Sequence, residues 1–154
     1  MEEWNKVVAQ KDLDKLLHIC GRFHDTCIVS VNYKSGAFVD EKNAMHFGAH
    51  DDHELTVVLH GQWEPKGIEL CFTGVRQFHL SGWRSNYTCE ILEAHLSFYE
   101  GMWDGRQERL IVWSDVWNFN IEQLSGTAKE WNHTYVIASA LKWRAANGDS
   151  GCLG

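Results

Sequence analysis

The chain has 154 residues, 44% of them hydrophobic and 23% charged, with a net charge of −7. That length fits one domain with a real core, and no run of about 18 apolar residues is present to cross a membrane. The acidic balance, common among soluble proteins, argues against general nucleic-acid binding, which relies on Lys and Arg, and would steer a basic partner to the surface.

The N-terminus "MEEWNKVVAQKDLDK" opens with acids and lacks the apolar stretch of a signal peptide, so the expected location is the cytoplasm. In "DLDKLLHICG" the apolar stripe Leu13, Leu16, Leu17 and Cys20 predicts a short helix, with Asp12 accepting an early N–H and Gly21 as the stop. The period then changes to two. "TCIVSVNY" predicts a strand with Cys27, Val29, Val31 and Tyr33 on one face, and "LTVVLHGQW" one with Leu55, Val57 and Leu59 on one face and Thr56, Val58 and His60 on the other. "GIELCFTGVRQFHLSGW" alternates Ile68, Leu70 and Phe72 until Gly74, where a bulge or tight bend is expected.

"TCEILEAHLSFYEG" suits either element and is assigned to a strand through Leu92, Ala94, Leu96 and Phe98. "RLIVWSDVWNF" predicts another strand, and "HTYVIASALKWRA" a last one with Tyr135, Ile137, Ser139, Leu141 and Trp143 on one face. Turns are expected at "KSG", "WDG" and "NGD". Seven or eight strands behind one helix predict a mainly β fold: an antiparallel sandwich or open barrel with the short N-terminal helix packed on it. Residues 1–146 form the expected domain and 147–154 a flexible tail.

Five cysteines, with no CxxC, speak against a disulfide framework or zinc ribbon; Cys27, Cys71 and Cys89 are expected to be reduced core residues, and Cys152 a thiol in the tail. In "NAMHFGAHDDHEL" a helix would align His46, His50 and His53 as metal ligands, but Gly48 disfavours helix and no HExxH glutamate is present. The segment reads first as a solvated connection into the strand near Leu55, with no metal or cofactor expected. "FHD" invites a His24–Asp25 dyad, yet strand neighbours point apart unless the backbone bends; Asp25 is expected to serve the turn and Phe23 to anchor the helix. No GxSxG, Walker A, GxGxxG or deaminase pattern supports an enzyme. The histidines His60, His79 and His95 fall on predicted strands and could converge only if strand order allows.

Eight tryptophans are the compositional outlier, most of them expected in the core or at its edge. Trp113 and Trp117, with Phe119, are expected to form an aromatic patch.

"GRFHDTCIVSVNY", followed by "ELTVVLHGQ" and "IELCFTGVRQFHLSG", resembles small β-rich bacterial proteins with an "FHD" turn, some of them grouped with immunity proteins of polymorphic toxin systems. The resemblance covers roughly residues 12 to 99. It implies a non-enzymatic role, binding and neutralising a toxin, and carries over no catalytic residues. An acidic rim of Asp40, Glu41, Asp51, Asp52 and Glu54 would face a basic toxin domain, with Trp113 and Trp117 as anchors. The alternatives are a Trp/His-lined site for a sugar-like ligand and, behind it, a metal-dependent hydrolase. Edge strands permit a homodimer without requiring one.

Overall fold

Residues 3–82, 89–101, 107–122 and 133–146 are described by a computed structural model. In chain order they form β1 (Asn5–Val7), α1 (Gln10–Ile19), β2 (Thr26–Lys34), β3 (Phe38–Val39), β4 (Met45–His46), β5 (Glu54–Gly61), β6 (Gly67–His79), β7 (His95–Glu100), β8 (Arg109–Ser114) and β9 (Tyr135–Ala146). All pairings are antiparallel, and the main sheet runs β2-β5-β6-β9-β8-β7. The edge of β9 opposite β6 is shared: β8 pairs with its first half, from Tyr135 to Ala138, and β1 with Leu141 to Trp143.

The sheet is open rather than a closed barrel or a sandwich. Among the described residues its two ends are joined by a bridge between Thr26 at the start of β2 and Ile91 ahead of β7. There the Ile91 N–H donates to the Thr26 carbonyl at 2.8 Å and the Asp25 N–H to the Ile91 carbonyl at 3.0 Å.

The helix begins earlier than its sequence suggests, after Ala9, because Asp12 reaches back to accept the N–H groups of Ala9 at 2.9 Å and Val8 at 3.1 Å. Those hydrogen bonds hold its carboxyl below the usual value, Ala9 contributing most. Leu13, Leu16, Leu17 and Cys20 are all buried, as their spacing predicts. Each leucine removed from water contributes about 1.5–3 kcal/mol, which a helix this short needs in order to persist. Gly21 ends it at φ +53°, and Phe23, fully buried, meets Trp113 edge-to-face at 5.9 Å.

Three expectations about faces need correction. A bulge after Ile28 turns Val29 outward, so Ile28 and Val31 lean on the core instead of the set Cys27, Val29, Val31, Tyr33. Residues 91–94 are a connection and not strand; the strand starts at His95. The inward face of β9 also switches: Leu141 and Trp143 join the main core, but towards the N-terminus Val136 and Ala138 do, leaving Tyr135 and Ile137 on the other side. Opposite, β6 changes its inward face at Gly74, from Phe72 to Val75, while its register against β9 shifts between Val75 and Gln77.

Tyr135 and Ile137 are not thereby exposed. With Leu110, Val112 and Phe119 they form a second core, capped by Tyr99, Val116 and Ile121. Of the cysteines, Cys20 and Cys71 are buried, whereas Cys27 is half-buried and Cys89 exposed, which corrects the core placement of the last two. The expected tail, Cys152, and the "WDG" and "NGD" turns lie outside the described residues. No described helix is long and apolar enough to cross a membrane.

Candidate functional site

Between the paired strands β2 and β5 the chain makes an excursion, residues 35–53, that leaves the main sheet. β3 and β4 pair only with each other, Phe38 opposite His46 and Val39 opposite Met45. The turn between them is organised by Asp40. One carboxylate oxygen accepts the N–H groups of Lys42 and Ala44, each at 2.9 Å, and the other lies 2.9 Å from His46 Nε2. The contact with His46, then the amides, holds the Asp40 carboxyl below its ordinary value.

The base of the excursion is clamped. Gly36 has φ +75°, and a Cβ there would fall 2.5 Å from Asp52 Cβ; Gly48, at φ +73°, packs on Gly36. Asp52 in turn accepts the Ala49 N–H at 2.6 Å, closing the one-turn 3-10 segment His50–Asp52. The glycine of "KSG" is thus required by both dihedral and close approach.

This projection is apolar as well as acidic. Phe38 (57%), Val39 (58%), Met45 (63%) and Phe47 (72%) are all exposed. A lone two-stranded hairpin is marginal in water, yet here Val39 stands opposite Met45 and Phe38 opposite His46, outside the core. The same stretch of chain carries Asp40, Glu41, Asp51 and Asp52, with Glu54 just after it and Lys42 the single lysine between residues 38 and 54. Of the expected rim residues, Asp40 and Asp52 are engaged in shaping the loop and Glu54 has entered β5. Glu41 and Asp51 are exposed.

The histidines do not converge. His46 stacks on Phe38 at 4.5 Å, His53 contacts the Tyr33 hydroxyl at 2.9 Å, and among the described residues no three His, Cys, Asp or Glu side chains gather to hold a metal. His79 and His95 have separate partners, the His133 carbonyl and the Tyr99 hydroxyl.

The aromatic anchors separate. Trp113 has no exposed surface, because its position on β8 points it into the main core against Phe23, where no partner can touch it. Its Nε1 has no hydrogen-bond partner among the described residues. Phe119 belongs to the second core, and Trp117 alone is exposed, at 67%. The expected patch therefore does not form. Trp143 is buried, Trp4 lies half-buried under Lys142 and Arg144, and Trp63 is exposed; Trp83, Trp103 and Trp131 lie outside the described residues.

Phe38, Val39, Met45 and Phe47 are not among the residues expected at a contact surface. Their signal was available in "AFVDEKNAMHF", where two short apolar stretches flank the turn-forming Asp40 to Asn43, as in a hairpin with a longer loop.

The "FHD" turn also differs from expectation. Arg22, Phe23 and Asp25 all take positive φ, of 54°, 64° and 59°, and the bend brings His24 Nε2 within 3.4 Å of Asp25 Oδ2. The carboxylate of Asp25 accepts not a backbone N–H but the Trp63 indole N–H, at 2.9 Å. In comparisons with known proteins, the chain matches no family model, no curated protein and no solved structure.

Proposed function

We propose that the protein is a non-enzymatic protein-binding module, that the hairpin of residues 38–52 is its contact surface, and that its partner is a basic toxin domain that it inhibits by occlusion. The observation that carries this reading is that one clamped projection bears four exposed apolar side chains and four carboxylates, those of Asp40, Glu41, Asp51 and Asp52. Such a surface fits an apolar recess ringed by Lys and Arg, as on the nucleic-acid-binding face of a nuclease. The acids would speed the encounter and the aromatics would hold the complex by excluding water. A base clamped at Gly36 and Gly48 presents them with little ordering left to lose.

The test is a titration against a basic toxin domain encoded beside this gene. Phe38→Ser and Phe47→Ser should each weaken binding at least about tenfold, the scale of an interface anchor. Glu41→Lys combined with Asp51→Lys should slow association and flatten its salt dependence. Undiminished affinity in the double phenylalanine variant removes the hairpin as the surface. No binding at roughly micromolar concentration removes the partner class.

A further inference from the structure

A second surface lies at the other end of β2, beside the "FHD" turn. The loop joining β5 to β6 places Trp63 with 70% of its surface exposed. An exposed indole is ordinarily free to rotate, but this one is tied through Nε1 to Asp25. Asp25 is itself fixed: its N–H donates to Ile91 at 3.0 Å and its carbonyl accepts the Gln62 N–H at 3.1 Å, from a left-handed backbone at φ +59°. Strained, over-determined backbone of this kind collects where a site must be held in shape.

Next to the indole a cavity of about 180 Å³ opens between the end of α1 and the Trp63 loop, with His24 and Glu64 in its wall. Through Thr26 and Gly61, which line both, it borders a second of about 420 Å³ that carries Asp25, His60, Gln62 and Glu90. One side thus offers a flat aromatic face, the other paired donors and acceptors. Among the described residues neither lining contains Lys or Arg, so these residues offer phosphorylated and carboxylated ligands no counter-charge.

We infer that this cleft binds a neutral pyranose ring, its C–H face stacked on Trp63 and its hydroxyls bonded to the carboxylate, amide and imidazole groups opposite. A sugar matches both halves of the site because one face of the ring is apolar while its rim carries hydroxyls. The inference is independent of the hairpin.

The experiment follows the Trp63 indole N–H in a ¹H–¹⁵N spectrum of the full chain, assigned by its loss in Trp63→Phe. The probes are the methyl pyranosides of glucose, galactose, mannose and N-acetylglucosamine, taken to about 20 mM because a single stacked ring gives dissociation constants near ~1 mM. A saturable shift of the Trp63 signal with one of them is expected. Trp63→Ala should weaken that binding at least about tenfold without altering the unfolding midpoint, since the ring is outside the core. The Phe38 and Phe47 variants should bind the sugar unchanged. The inference is overturned by the absence of a saturable shift with every pyranoside, by binding that survives Trp63→Ala, or by a shift with tetramethylammonium alone, which would mark a cation site.

Discussion

His95 illustrates how a single side chain carries environment into stability. It stands at the start of β7, in contact with the Tyr99 hydroxyl at 2.8 Å and with Phe119 at 5.9 Å between ring centres. Burial lowers its pKa below the ordinary 6.5, against a smaller opposing effect from the Trp117 backbone. The folded chain therefore resists a proton that the unfolded chain accepts, and stability rises with pH across that window. The contribution is complete above the unfolded value near 6.5 and is lost as pH falls through the lower folded value. Urea midpoints should drop between about pH 7.5 and about pH 5, and drop less in His95→Gln. Equal drops would show that His95 carries none of the effect. Asp115 nearby has the opposite sign: burial raises its carboxyl, so its contribution is lost as pH rises, and only the comparison with the variant isolates the histidine. None of this was legible in the sequence, where His95 is one of three histidines on predicted strands.

At the scale of elements, the pair β6 and β9 is the longest in the sheet and the place where alternation misleads. Period two located both strands, and Gly74 was recognisable as an interruption. That both strands change inward face there depends on their being partners. Gly74 has φ +62°, and a Cβ on it would sit 2.0 Å from Ser139 Oγ on the neighbouring strand. Gly74→Ala should destabilise by about 2–5 kcal/mol, from a left-handed penalty of about 1–2 plus overpacking of about 1–3. Adding Ser139→Gly should recover the packing part and leave the backbone part. A single variant with native stability in chemical denaturation would mean that the turn at Gly74 relaxes freely. The hairpin of β3 and β4 is the reverse case, where the local signals in "AFVDEKNAMHF", two short apolar stretches around a turn, are sufficient to place it.

For the whole molecule, the governing feature is a sheet that curves until its edges touch at Thr26 and Ile91 without closing. The contact joins residues far apart in sequence and is backed by the Thr26 hydroxyl, which donates to the Phe23 carbonyl at 2.7 Å. Amide hydrogen exchange should find the central strands β6 and β9 slowest and the hairpin β3–β4 fastest, since its amides have few partners beyond their own turn. The Ile91 amide, although in a connection, should exchange at the pace of β7. Exchange as fast as that of the hairpin would mean that the sheet opens at this seam.

By itself the sequence determined the class of fold, the helix and its buried stripe, most strand positions, the Gly21 stop and the acidic character of the 40–54 loop. These depend on periodicity, dihedral preference and charge, which are local properties of the chain. Only the tertiary structure decided which tryptophans face water, where the strands switch face, and that "FHD" bends to seize Trp63. Those outcomes depend on strand order and on contacts between distant segments: Trp113 and Trp117 are four residues apart, yet one fills the core and the other stands in solvent.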